Sequence, residues 1–168
     1  MVHESNSVLG LANRSVLPLV DRVALGLPQA DGRAGPKYVL TGTPVRPALW
    51  SLPSAADARA QLGLDPKLPT WLVFGGSQGA KGINRLIPEA IRLMTAKGTR
   101  TFQVLHLSGS KHAEEVRGSY KGTGIQAEVR EYLPDMHLAY AAADLVVSRA
   151  GAGTLAELIA VRRPALLI

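Results

Sequence analysis

Two short turns carry residues suited to holding an anion. Gly75-Gly76-Ser77-Gln78-Gly79-Ala80 follows the apolar run Trp71–Phe74, and Gly151-Ala152-Gly153-Thr154 follows Leu145–Ser148. Each turn leads into helix-like spacing. A helix start presents unpaired N–H groups and a partial positive charge, and glycine lets a phosphate come close to the backbone. Ser77 and Thr154 add hydroxyl donors. Glycines between a strand and a helix also serve close packing alone, so one such turn decides nothing. Neither is G-x-x-x-x-G-K-[ST], nor G-x-G-x-x-G with its downstream acid, which disfavours a P-loop and a dinucleotide site. Together they suggest a diphosphate between two helix starts.

Glu157 falls one turn into the second helix. A carboxylate there can accept from both hydroxyls of a ribose, or it can simply complement the helix dipole for roughly 0.3–1 kcal/mol. Spacing alone favours the dipole role. His3, His106, His112 and His137 show no metal-ligand spacing, and no metal is expected. His106 sits between Leu105 and Leu107 and reads as a strand residue. No Ser-His-Asp ordering stands out, and no close carboxylate pair lies near either glycine turn. With no cysteine, disulfides and thiolate metal sites are excluded, which suits the cytoplasm.

The turns need strands and helices to position them. From Leu68 onward strands are predicted at Trp71–Phe74, Phe102–Leu107, Gln126–Glu131, Leu145–Ser148 and Ala165–Ile168. Helices are predicted at Ala80–Ala96, Lys111–Tyr120, Met136–Ala142 and Thr154–Val161. Alternating elements with continuous apolar strands argue an α/β, Rossmann-like, doubly wound parallel sheet. In that fold both turns lie at the carboxyl ends of strands, where ligands bind. Residues 1–70 read as irregular. They hold a short helix near Ser7–Leu17, strands at Arg22–Leu25 and from Lys37, and a helix capped by Ser54 and stopped at Gly63.

The 168 residues fit one ordinary domain, and 46% hydrophobic with 19% charged residues describes a soluble globular chain. The N-terminus has no secretory pattern, and the apolar stretch Leu138–Val147 is too short to span a bilayer and contains Asp144. The net charge of +6 suits anionic partners such as phosphate ligands or an acidic membrane surface. Arg162-Arg163 is the sole adjacent basic pair and aromatics reach only 5%, which argues against nucleic acid.

Five segments then carry a resemblance. His3-Glu4-Ser5-Asn6, Gly42-Thr43-Pro44-Val45-Arg46, Phe74–Asn84, Tyr132–Leu158 and Arg162–Ile168 resemble, in order, the MurG family of glycosyltransferases. That family moves N-acetylglucosamine from UDP-N-acetylglucosamine (UDP-GlcNAc) to a lipid-linked muramyl-pentapeptide, turning lipid I into lipid II in peptidoglycan synthesis. The resemblance implies one half of a GT-B architecture, truncated at the C-terminus. Residues 1–35 would be the tail of the N-terminal domain with the interdomain segment, and 36–168 an incomplete UDP-sugar-binding domain. It implies that Arg46, Gly76 and Ser77 meet the diphosphate or nucleoside and that Leu133, with Tyr132 and Met136 nearby, lines the uracil pocket. Gly151, Ala152 and Thr154 would hold the diphosphate, Glu157 the ribose, and Asn6 the sugar. Ser5 stands where the family has Gln. The reaction would be a single inverting displacement with no tightly bound cofactor, its general base lying outside this chain. The full-length protein is expected to be cytoplasmic and peripheral on the inner face of the membrane. Two alternatives stay open: an inactive UDP-sugar-binding fragment and a GT-B-like nucleotide-sugar epimerase. The last strand, open and apolar, predicts a marginal, aggregation-prone fragment.

Overall fold

The computed structural model describes residues 1–98 and 101–168. Two all-parallel sheets form. The smaller joins β1 (Val2–Glu4), β2 (Val23–Leu25) and β3 (Tyr38–Leu40) in that order. The larger joins β4 (Thr70–Phe74), β5 (Gln103–Leu107), β6 (Ala127–Arg130), β7 (Leu145–Ser148) and β8 (Ala165–Leu167) in the order β6-β5-β4-β7-β8. The helices are α1 (Leu11–Val16), α2 (Ala55–Gln61), α3 (Lys81–Ala96), α4 (Ala113–Tyr120), α5 (Met136–Ala142) and α6 (Ala152–Val161). Among the described residues, no helix is long and apolar enough to cross a membrane.

Alternation along the strands explains the layering. Leu72, Phe74, Leu105, Leu107 and Val146 bury one face against α2, α5 and α6. Val73, Val104, Val129 and Val147 bury the other against α3 and α4. Because side chains alternate across a strand, a sheet covered on both faces needs apolar residues at every position. The strand order reverses between β4 and β7, which stay paired to their last residues Phe74 and Ser148, so the connections leaving their carboxyl ends diverge and leave a crevice. Both glycine turns open there.

The structure departs from the sequence reading in places. His3 and Glu4 lie in β1, a strand the sequence did not announce. β3 pairs with β2, so the small sheet reaches Leu40, beyond the expected boundary at residue 35. Three-residue strands carry too little periodicity to show which sheet they join. α1 is shorter than expected and runs into a 3-10 turn at Leu17–Leu19 around Pro18. Ser54 does cap α2, its Oγ accepting from the Asp57 N–H at 3.1 Å.

One polar chain crosses the core behind α3. Asn84 donates from Nδ2 to the Ser108 carbonyl at 2.9 Å, which turns its Oδ1 toward His106 Nε2 at 3.1 Å. His106 Nε2 therefore carries the proton, and Nδ1 accepts from the Tyr120 hydroxyl at 2.9 Å. Burial pushes the His106 pKa from 6.5 down to about 4. The native state thus resists protonation that the unfolded chain accepts. Stability is full above pH 6.5, declines as the pH falls toward 4, and is not lowered further by this group below that. Between pH 7 and pH 5 His106 should remove about 2 kcal/mol. Urea midpoints at the two pH values check this, and His106→Gln should flatten the difference.

Candidate functional site

A cavity of about 270 Å³ opens at the carboxyl ends of β4, β5 and β6. Its apolar wall is Phe74, Leu107, Leu133 and Met136. Opposite stand Gly76 and Ser77, then Gly153, Thr154 and Glu157 of α6, with Arg46 and the Glu131-Tyr132 pair at the rim. The lining thus combines an apolar wall with polar donors and two carboxylates, Glu131 and Glu157.

α6 begins earlier than expected. Gly151 is its N-cap, so Ala152, Gly153 and Thr154 form the first turn. The first intrahelical bond in this turn runs from Leu155 N–H to Gly151 O at 2.9 Å. The three amides before it point out of the helix end, as N-terminal amides do. Gly153 has open space where a Cβ would stand, so a ligand can come against the backbone there.

The other turn is built differently. Gly79 N–H bonds Gly76 O at 2.9 Å, closing a β-turn between β4 and α3. α3 starts only at Lys81, so Ser77 rides on that turn and not on the helix start. The amino end of α3 faces a separate hollow with Arg85 and His112. Two helix starts facing one ligand, the arrangement suggested by the sequence, is therefore corrected to one helix start facing one turn.

That turn is seated on β5. Gly79 (φ +74°) lies so close that an added Cβ would stand 2.0 Å from Ser108 O, and one at Gly109 would stand 2.4 Å from Gln78 O. Gly79→Ala should cost about 2 kcal/mol through backbone strain and the forced separation of these turns. Thermal melting checks it. Gly82→Ala is the control: it points into open space within α3. That change should hold or raise the melting temperature.

Glu157 is held from both sides. Its Oε2 accepts from the Tyr140 hydroxyl at 2.9 Å, and Arg46 Nε lies 3.6 Å from Oε1. Arg46 also donates to Pro134 O at 3.2 Å. Burial, reinforced by the Glu157 charge, drives the Tyr140 pKa far up, so its hydroxyl stays a donor. The Arg46 side chain is 53% exposed and the Glu157 side chain 17%, so the arginine is the movable partner.

Arg46, Gly76, Ser77, Leu133, Thr154 and Glu157 therefore meet around one cavity. Gly151 borders an adjoining hollow with Gly75, Arg149 and Thr154. Ala152 faces an apolar groove beside Val45 and Trp50. Asn6 does not reach the cavity wall: its backbone N–H and Nδ2 both donate to Glu4 Oε1 at 2.9 Å. Glu4 is buried and also accepts from Gly10 N–H and Asn13, and these bonds lower its pKa to about 2 against the cost of burial. It is a loop clamp. Sequence reasoning missed Tyr140 and Phe74. Tyr140 sits in an Ala-rich apolar helix and reads as core, with its hydroxyl as the sole clue.

The glycosyltransferase family 28 C-terminal domain profile matches residues 70–168. The chain is 43% identical over its whole length to a protein of a Nocardioides species and 41% to one of Verminephrobacter eiseniae. Both are named UDP-N-acetylglucosamine–N-acetylmuramyl-(pentapeptide) pyrophosphoryl-undecaprenol N-acetylglucosamine transferase. The chain spans 45% of each of these relatives. Among solved structures, Acinetobacter baumannii MurG superposes with a TM-score of 0.68 at 26% identity, covering 99% of this chain and 45% of that one. The α/β fold with parallel sheets matches one half of that GT-B protein.

Proposed function

This chain belongs to the glycosyltransferase family 28 C-terminal domain family, and from that premise we propose that it holds the donor UDP-GlcNAc for transfer to a lipid-linked muramyl-pentapeptide. The carrying observation is the convergence of Leu133, Thr154, Glu157, Arg46 and the Gly76–Ser77 turn on one cavity. Uracil lies against the apolar wall, the ribose hydroxyls donate to Glu157, and the diphosphate takes the amides of α6 and the Ser77 side. The names of the two relatives support the choice of sugar and acceptor.

In the reaction an acceptor hydroxyl attacks C1 of the sugar, its proton passes to a general base outside this chain, and the C1–oxygen bond to UDP breaks. Negative charge gathers on the leaving diphosphate. Unpaired helix amides are already aimed at that charge and need no reorganisation, which is the condition for strong stabilisation. Arg46, freed from Glu157 by the arriving ribose, adds a guanidinium to the same oxygens. The protein works in the cytoplasm against the inner membrane face, where its acceptor resides and where a net charge of +6 favours anionic lipid.

Calorimetry with UDP-GlcNAc, UDP, ADP and GDP tests the donor assignment. Binding of the two uridine nucleotides with rejection of both purine nucleotides is expected; equal binding of all four overturns it. Release of UDP and a glycosylated lipid product, followed with lipid I, separates transfer from mere holding of the donor. Interconversion of UDP-GlcNAc with its C2 epimer would instead favour an epimerase.

A further inference from the structure

Among the described residues, the buried hydroxyl of Tyr140 has one partner, Glu157, and it lies inside the site. We propose that Tyr140 is a positioning residue that makes this site select ribose over 2′-deoxyribose, acting through the carboxylate of Glu157. The proposal rests on the reading that Glu157 receives the ribose.

A glutamate in the first turns of a helix normally samples several rotamers, and ordering it costs entropy when a ligand binds. Here one oxygen is already anchored. Tyr140 is fully buried on α5, and its hydroxyl stands 2.9 Å from Glu157 Oε2. The ring cannot swing away. Phe74 meets it edge-on with centroids 6.2 Å apart at 80°, and Arg163 Nε fixes the Tyr140 carbonyl at 2.9 Å. An ionised carboxylate only accepts, so the hydroxyl must donate to it. Its raised pKa keeps that donor protonated across the working range.

The other oxygen is treated differently. Arg46 approaches Oε1 at 3.6 Å from a half-exposed position and can leave. Each carboxylate oxygen accepts more than one hydrogen bond. Tyr140 therefore occupies a single acceptor position and leaves the outward-facing ones for a pair of vicinal hydroxyls. A sugar lacking one hydroxyl forfeits a charge-assisted bond to a carboxylate that cannot rotate to compensate. A loosely held carboxylate could rotate, and discrimination would fall.

Calorimetry with UDP and 2′-deoxy-UDP tests this on the unaltered protein, Tyr140→Phe, Glu157→Ala and the double variant. The unaltered protein should prefer UDP by about tenfold or more. Tyr140→Phe should weaken UDP about tenfold, leave 2′-deoxy-UDP within about twofold, and so erase most of the preference. In the Glu157→Ala background, Tyr140→Phe should change UDP affinity no further, because a residue acting through another is not additive with its loss. Full preference retained by Tyr140→Phe overturns the proposal. So does an additional loss in the double variant, which would mark a general packing role. If the unaltered protein shows no preference, the ribose reading of Glu157 itself fails and takes this one with it.

Discussion

Glu157→Ala is expected to weaken UDP binding about a hundredfold, the loss of two hydrogen bonds to a charged group at about 1.5 kcal/mol each. The carboxylate is mostly buried, flanked by Tyr140 and Arg46, and bordered by the cavity. Its removal strips the ribose of both acceptors. Uridine, which lacks phosphate, should lose affinity by the same factor as UDP, since the lost contacts lie on the sugar. Glu157→Gln retains one acceptor oxygen and should fall between the two. The fold should suffer less. The Tyr140 hydroxyl loses its partner, which costs about 1–2 kcal/mol and a few degrees of melting temperature, while Arg46 loses a loose ion pair at a half-exposed position and keeps Pro134 O. An unchanged UDP affinity removes Glu157 from the site. A loss confined to UDP and absent for uridine moves it from the ribose to the phosphates.

The larger sheet was legible in the sequence because its strands are buried on both faces. Runs such as Trp71-Leu72-Val73-Phe74 stand out against the amphipathic spacing of α3, where Ile83, Ile87 and Ile91 form one buried stripe. The site's turns were legible as glycine clusters, but their geometry was not. Whether Gly76–Gly79 forms a helix start or a β-turn depends on what Gly79 packs against, and that is the Ser108 carbonyl, far along the chain. Asn6 shows the same limit from the other side. Its neighbour Glu4 has the residue type of a site group, yet four donors satisfy it locally. Of the small sheet, β2 and β3 were legible as short strands, but β1 and the pairing of all three were not, since each contributes only three residues. Tyr140 and Arg59 were hidden for a shared reason. Each acts through a partner distant in sequence: Tyr140 through Glu157, and Arg59 through Ala142 and Asp144.

Arg59→Ala should be the most damaging single change to the fold, at about 4 kcal/mol and roughly 10 °C in melting temperature. Arg59 reaches from α2 across the layer. Its Nε donates to Ala142 O at 3.0 Å, Nη1 to Pro66 O at 3.1 Å, and Nη2 to Asp144 Oδ2 at 2.7 Å. It thereby closes the carboxyl end of α5, whose preceding carbonyls, Tyr140 O and Ala141 O, are taken by Arg163. A cation at that end also suits the helix dipole. The damage should come from the bonds more than from the ion pair. Asp144 is half exposed, so its charge can be rehydrated, and it keeps the Thr70 N–H at 2.7 Å. Asp144→Asn should therefore cost only about 1 kcal/mol. Arg59→Lys should approach the alanine value, because one ammonium cannot serve a carbonyl, a second carbonyl and a carboxylate in three directions. Urea melts of the three variants decide between these terms. If Asp144→Asn proves as damaging as Arg59→Ala, the ion pair and not the satisfied helix end holds α2 to α5. The same loss would reach the site, because α5 carries Met136 in the cavity wall and Tyr140 behind Glu157.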